Sequence, residues 1–216
     1  MVETARAART YGQFCPVAAA LDVLGDRWVL LILREMLYGP RRFSEIKQAC
    51  PGIAPNLLTE RLRTLAARGL VAATPSGYEL TEAGRGAGPV LRALARFGVD
   101  HIDTGHLVTG DPRETGAFRM ARGFLQPYQH ATLPPMRVRV VAPDASTVDL
   151  VKGPADERAD LEPSAGTPDV TVALDAEALW LARRDGTPLH CAPQGDPELV
   201  EAFLEAFGLQ GLVSEN

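Results

Sequence analysis

Between Cys15 and Thr81 the chain runs through four short apolar-periodic segments and then one tight hairpin, each element closed by a residue that forces a stop. Gly25, Gly39 and Gly69 each sit just past an apolar-periodic segment, where a left-handed residue ends a helix. Asp26 is a good N-cap for the run Arg27 to Tyr38, in which Trp28, Leu31, Ile32 and Met36 recur at helical spacing and face a common core. Pro40 forbids continuation because it lacks the N–H a helix needs. Ser44 is placed to cap a helix of about one and a half turns that stops at Cys50-Pro51-Gly52. Pro55 suits the first turn of the next helix, where the missing N–H has no partner to lose. A hairpin with its tip at Thr74-Pro75-Ser76-Gly77 follows.

That order of elements is the layout of a winged helix-turn-helix, which points to DNA as the partner. In Pro55 to Arg68 the residues Leu58, Leu62 and Leu65 lie at i, i+4 and i+7, leaving Asn56, Thr59, Glu60 and Arg63 on the opposite face. A helix lying in the major groove reads base edges with its N-terminal residues, and Asn, Thr and Arg carry suitable donors and acceptors. Asn56 and Thr59 are therefore assigned to bases and Arg63 to phosphate. Arg41 and Arg42, just before the shorter helix, can grip the backbone, which fixes position without reading sequence. Taken as an isolated helix, the same pattern also fits an ordinary solvated face.

The ordered series Cys15, Leu24-Gly25-Asp26-Arg27-Trp28, Gly39-Pro40-Arg41-Arg42-Phe43, Pro51-Gly52-Ile53, Leu58 to Val71 and Tyr78 to Gly84 resembles the HxlR family of winged-helix transcriptional regulators, relatives of the MarR group. The resemblance covers about residues 11–105. It implies a symmetric homodimer, joined through terminal helices, presenting two reading helices to a palindromic operator in double-stranded DNA. Carried over position by position, it sets Arg42 near the backbone, Pro55, Asn56 and Thr59 in the groove, and Ser76, Gly77 and Tyr78 in the wing. The chain departs from the family in carrying Asp26-Arg27 before Trp28, and in a wing that is short and uncharged from Thr74 to Tyr78.

Charge divides the chain in two. Up to position 110 there are 13 basic and 10 acidic residues, a net of +3; beyond it 9 basic face 17 acidic, a net of −8, which together give the −5 of the whole chain. The first part can approach phosphate, and the second is repelled by it. At 216 residues the chain can build two cores, a winged helix-turn-helix domain over 1–110 and a second domain over 111–216. No run is long and apolar enough for a membrane span, and Met1 to Thr10 is not followed by a secretory pattern, so a cytoplasmic location is expected. Three cysteines without a C-x-x-C pair suit neither a disulfide framework nor a zinc ribbon.

After the hairpin, Thr81 begins a helical segment interrupted by Gly84, Gly86, Gly88 and Pro89, which then carries Val90, Leu94, Phe97 and Ile102 on one stripe. We assign it to dimerisation, the alternative being packing on its own wing domain. Asp103 and His106, at i and i+3, make half of a metal site, and they equally fit a polar helix end whose histidines complement the dipole. No metal or cofactor is expected.

A helix is expected around Arg113 to Tyr128, stopping before Leu133-Pro134-Pro135. Strands follow at Arg137–Val141, Thr147–Lys152 and Asp169–Leu174, with helices at Asp175–Arg184 and at Pro197–Phe207, the latter opened by Asp196 and closed by Gly208. The second domain is thus α+β. Residues 168–207 resemble the end of sterol carrier protein-like domains, on Asp169, Gly186, Gly195, Asp196 and the apolar spacing. The resemblance implies an apolar cavity for a hydrophobic small-molecule effector, lined by Trp180, Leu181, Phe203 and Phe207; the alternative is that these side chains fill a core.

Cys15 and Cys50 lie in the first domain, and some members of the HxlR family are thiol-based redox sensors. Cys15, before Pro16, stands at a helix N-terminus, where a thiolate is favoured, whereas Cys50 ends a helix. No hydrolase, nucleotide-binding or zinc-protease motif is present, and His101, His106, His130 and His190 surround no nucleophile, so no catalytic residue is assigned. The leading function is a dimeric DNA-binding regulator, read as a repressor, with an apolar effector. The alternatives are a redox-switched regulator using Cys15 and Cys50, and a carrier or enzyme for a lipid-like molecule that retains a vestigial DNA-binding domain.

Overall fold

The computed structural model describes residues 10–102, 116–130, 132–156 and 158–214. The chain forms two compact units, Met1–Leu91 and Arg92–Asn216. The first holds α1 (Pro16–Leu24), α2 (Val29–Glu35), α3 (Phe43–Ala49), α4 (Pro55–Ala67), a hairpin of β1 (Val71–Thr74) and β2 (Gly77–Leu80), α5 (Glu82–Arg85) and the start of α6 (Ala87–His101). Ile32, Leu33, Ile46, Ile53, Leu58, Leu62 and Leu65 form its core and are no more than 2% exposed. Burying such a side chain stabilises by roughly 1.5–3 kcal/mol, so helices too short to stand alone are held by the core they share. The three leucines of α4 lie on the inner face, as their spacing predicts.

Three helix ends differ from expectation. Asp26 does not cap a helix directly: it accepts the Trp28 N–H at 3.3 Å in a turn, and α2 begins only at Val29 and closes at Glu35. Ser44 lies inside the first turn of α3, which begins at Phe43, and the exposed N–H of Arg42 is instead satisfied by the Glu45 carboxylate at 2.6 Å. A carboxylate there also meets the positive end of the helix, so Glu45 displaces the serine from the capping role. Gly25 has φ −73° and is not left-handed. A side chain there would bring its Cβ to within 2.5 Å of the Leu21 carbonyl oxygen, so closeness demands the glycine.

The segment after the hairpin breaks once, at Gly86. Thr81 caps α5 by accepting the Gly84 N–H at 3.1 Å, and α6 then runs unbroken through Gly88 and Pro89. Pro89 falls in the first turn, where its missing N–H costs nothing. The boundary between the two units falls within α6.

The second unit continues with α7 (Ala117–Met120), a π-helical turn (Ala121–Leu125) and a 3-10 turn (Gln126–Tyr128). The helix expected from Arg113 is therefore three short turns over its described part; residues 113–115 lie outside the described residues, as do Asp103 and His106. There follow β3 (Met136–Val141), β4 (Thr147–Lys152), β5 (Asp160–Glu162), β6 (Val170–Ala173), α8 (Ala176–Asp185), β7 (Leu189–His190), β8 (Gln194–Gly195), α9 (Pro197–Ala206) and β9 (Val213–Ser214). Five strands make one sheet in the order β5-β4-β3-β6-β8, with β3 and β6 parallel and the other pairs antiparallel, while β7 and β9 pair separately. The unit is α+β, as expected. The Asp175 carboxylate caps α8 by accepting the Ala178 N–H at 2.8 Å, and Gly186 closes it at φ +69°. Asp196 caps α9 in the same way, accepting the Glu198 N–H at 2.9 Å.

On the core face of the sheet Val138, Val140, Val148, Leu150, Val170 and Val172 are buried. On the other face Asp149 accepts two bonds from Arg139, at 2.9 and 3.1 Å, one from Arg137 at 3.0 Å and one from the Ala165 N–H at 3.1 Å. Burial alone would raise the pKa of the Asp149 carboxyl, but the two guanidinium groups and the amide outweigh it and set the value at about 2.

Candidate nucleic-acid interface

The outward face of α4 is built by elimination. Leu58, Leu62 and Leu65 commit one side to the core, so Pro55, Asn56, Glu60 and Arg63 stand exposed and Thr59 half-buried on the other. Thr59 Oγ1 donates to the Pro55 carbonyl at 3.0 Å, so the hydroxyl keeps its lone pairs to accept from a base amine. The turn between α3 and α4 is folded under by Ile53, 1% exposed, and by Gly52 at φ +91°.

The wing is bolted to the segment before α3. The Arg41 N–H donates to the Tyr78 carbonyl at 2.8 Å, and the Tyr78 N–H returns a bond of 2.8 Å to the Arg41 carbonyl, so Arg41 acts as a one-residue third strand. Gly77 permits this: its φ is +134°, and a Cβ there would lie 2.4 Å from the Arg41 carbonyl oxygen. Arg41, Gly77 and Tyr78 are therefore assembled as one structure. Arg42 follows Arg41 and is exposed, Ser44 is exposed in the next turn, and Ser76 stands at the hairpin tip with Oγ 3.0 Å from Thr74 Oγ1.

Glu60 is drawn to one side. Its carboxylate accepts from Arg61 Nη1 at 2.9 Å, and Arg61 Nη2 reaches Asp26 at 2.6 Å. Burial works against the Arg61 charge, yet the bonds to Asp26 and Glu60 prevail and raise its pKa. Arg61 is a clamp between α4 and the turn before α2, and Arg68 is another, donating to the Asp22 carbonyl at 2.7 Å. Both look like surface arginines in the sequence; only the fold brings Asp22 and Asp26 beside them. A polar groove of about 740 Å³ opens along this side of α4, lined by residues that include Tyr11, Leu21, Asp22 and Arg61.

The part of the chain that carries this geometry is similar in sequence to known proteins. The profile of the family described as HxlR-like helix-turn-helix matches residues 23–106. The HTH-type transcriptional regulator YvaP of Bacillus subtilis (strain 168) is 36% identical over 103 residues, which are 44% of this chain and 95% of that protein. The chain belongs to the HxlR family. A second relative, the HTH-type transcriptional regulator YybR of the same organism, is 34% identical over 96 residues, 41% of this chain and 77% of its own. Among solved structures, a MarR-family regulator from Porphyromonas gingivalis W83 is similar, with 28% identity, 44% of this chain and 99% of that chain covered, and a TM-score of 0.40. The HxlR profile ends at residue 106, so membership speaks for the N-terminal part of the chain: it is a helix-turn-helix transcriptional regulator.

The remaining candidates lie as follows. Cys15 is the N-cap of α1 and half-buried, whereas Cys50 is 1% exposed in the first core. In the second unit Phe203 and Phe207 are fully buried with ring centroids 5.1 Å apart, Trp180 is buried against Phe124 at 5.7 Å, and Leu181 is half-buried. The Trp180 indole N–H is buried and meets no acceptor among the described residues. Among the described residues no group of three or more His, Cys, Asp or Glu side chains is placed to hold a metal, and no helix is long and apolar enough to cross a membrane.

Proposed function

We propose that the protein binds a palindromic DNA operator as a homodimer, with α4 of each protomer in a major groove. The observation that carries this reading is the exposed α4 face: Asn56 and Thr59 at its N-terminal end offer groups for base edges, and Arg63 one turn on reaches phosphate. Arg41, Arg42 and the tip residue Ser76 add backbone contacts from the flank. Dimerisation is supported by an apolar stripe on α6: Val90, Leu94 and Phe97 are 42%, 47% and 56% exposed in the single chain, and Ile102 just beyond is 38% exposed. Tyr11, Phe14, Val17 and Leu21, in and before α1, form a second exposed apolar set. Two-fold pairing sets the half-sites about 34–36 Å apart, one turn of duplex. Selection of bound duplexes from random DNA, followed by anisotropy titration, tests the reading: an enriched inverted repeat is expected, and equal affinity for a scrambled duplex would overturn it.

In the second unit we read an apolar effector module. The order strand, helix, left-handed Gly186, short strand, then Gly195-Asp196 opening a helix, runs from β6 to α9. The buried, unpaired indole N–H of Trp180 is a group a ligand's oxygen would satisfy. A thiol switch is supported at Cys15 alone, since Cys50 is sealed in the core; if it operates, Cys15→Ser removes any peroxide response of DNA affinity.

A further inference from the structure

Lys152 is the last residue of β4, and it shares the core face with Leu150 and Val148. Its cross-strand partner is Met136, 5% exposed, and Lys152 itself is 4% exposed. An ammonium carries three N–H donors. Here one is used, on the Gly153 carbonyl at 2.6 Å, and among the described residues no carboxylate stands within ion-pair distance. A buried charge left in that state is costly, because the water it gave up has not been replaced.

A second surplus of donors meets the backbone of the neighbouring chain segment. Val151 pairs with Asp160, so the next position of the same antiparallel register sets Lys152 opposite Ala159. Ala159, 2% exposed, is clasped by two glutamines: Gln126 Nε2 donates to its carbonyl at 3.1 Å, and its N–H donates to Gln129 Oε1 at 3.1 Å. That second bond fixes which end of the Gln129 amide faces the backbone, since only oxygen can accept. Gln129 Nε2 is left buried with no acceptor among the described residues, on a residue 5% exposed.

We propose that Lys152 and Gln129 hold the carboxylate of an amphiphilic acid, a deepening that rests on reading the second unit as an apolar-ligand module. A carboxylate is acceptor-only, with about four lone-pair sites, and so complements a set of donors that lacks acceptors. Its single charge matches one ammonium, whereas a phosphate dianion would leave a charge over. The surroundings select an apolar body, for Met136, Leu150 and Leu161 are buried around the same strand ends.

Octanoate, octanol and octylamine titrated into the full-length protein, read by native mass spectrometry and thermal unfolding, test this assignment. Octanoate is expected to bind at least about tenfold more tightly than octanol, the worth of a hydrogen bond to a charged group. Lys152→Met should unfold at a higher temperature than wild type without ligand and lose the preference for octanoate. Gln129→Glu keeps the oxygen that serves Ala159 and supplies a carboxylate in place; it should likewise raise the melting temperature and abolish octanoate binding. If octanol binds as tightly as octanoate, the carboxylate site is overturned and the apolar-ligand reading stands; if neither binds, both fall. Octanoate binding that survives Lys152→Met, or a Gln129→Glu protein no more stable than wild type, would also overturn it.

Discussion

The guanidinium groups of Arg42 and Arg63 are exposed and meet no carboxylate among the described residues, so each is available to a phosphate. Replacing either with alanine should weaken operator binding several-fold and lower the slope of log affinity against log salt by about 1 for each phosphate left without its arginine. An unchanged slope in a salt titration would remove that residue from the interface. Gly77→Ala makes the contrasting case. It forces a Cβ against the Arg41 carbonyl in a backbone region that other residues rarely adopt, which costs of order 1–3 kcal/mol. The wing should then detach from Arg41, seen as faster exchange of the Arg41 and Tyr78 amide protons. The outward set on α4 was legible because leucines at i, i+4 and i+7 leave only one face free. The clamps were not. Arg61 is separated from Asp26 by some thirty-five positions of sequence, and nothing local distinguishes it from Arg63, two residues on.

Among the elements long enough to carry a period, α4, the hairpin, β3, β4, β6, α8 and α9 lie within a residue or two of their expected bounds, whereas α2 closes at Glu35 instead of Tyr38 and the helix expected from Arg113 to Tyr128 is three short turns over its described part. The other misses are elements too short for a period. β7, β8 and β9 have two residues each and β5 three, and they exist because a neighbouring strand offers unpaired backbone groups, which is a property of the assembled sheet. Within the sheet, Asp149 joins strands β3 and β4 by charge. Its carboxyl titrates at about 2 when folded and near 3.9 when unfolded. The stabilisation it gives is therefore complete above about pH 4 and is lost as pH falls through about 2. Asp149→Asn should cost about 2–3 kcal/mol at neutral pH, the worth of bonds to a charged group, and its stability should vary less than that of wild type between about pH 4 and pH 2. Urea unfolding followed by amide exchange in β3 and β4 checks both. For α6, Phe97→Glu places a charge in the middle of the exposed stripe. The variant should elute as a monomer of 23.2 kDa in light scattering where wild type is expected to elute as a dimer, and circular dichroism should show the helix retained.

For the whole molecule the net charge of −5 misdirects, since a single acidic domain would argue against nucleic acid. What decides is the uneven division between a mildly basic first part and an acidic second. A net of +3 over the first 110 residues gives little long-range attraction, so on the proposed dimeric reading affinity comes from a few well-placed contacts repeated by symmetry. In the proposed complex, Arg41, Arg42 and Arg63 from each of two protomers would neutralise about six phosphates. At about 0.9 counterions released per phosphate, the salt slope should be near −5, steep for so acidic a chain. A monomer using one set should show about half that slope. Phe97→Glu and wild type, titrated on the same inverted repeat between about 50 and 200 mM salt, thus separate two explanations for weak binding. If pairing of protomers supplies the affinity, the variant should lose both affinity and roughly half the slope together. If a single copy of α4 suffices, the two slopes should coincide, and the dimeric reading of the operator fails even though the surface of α4 is intact.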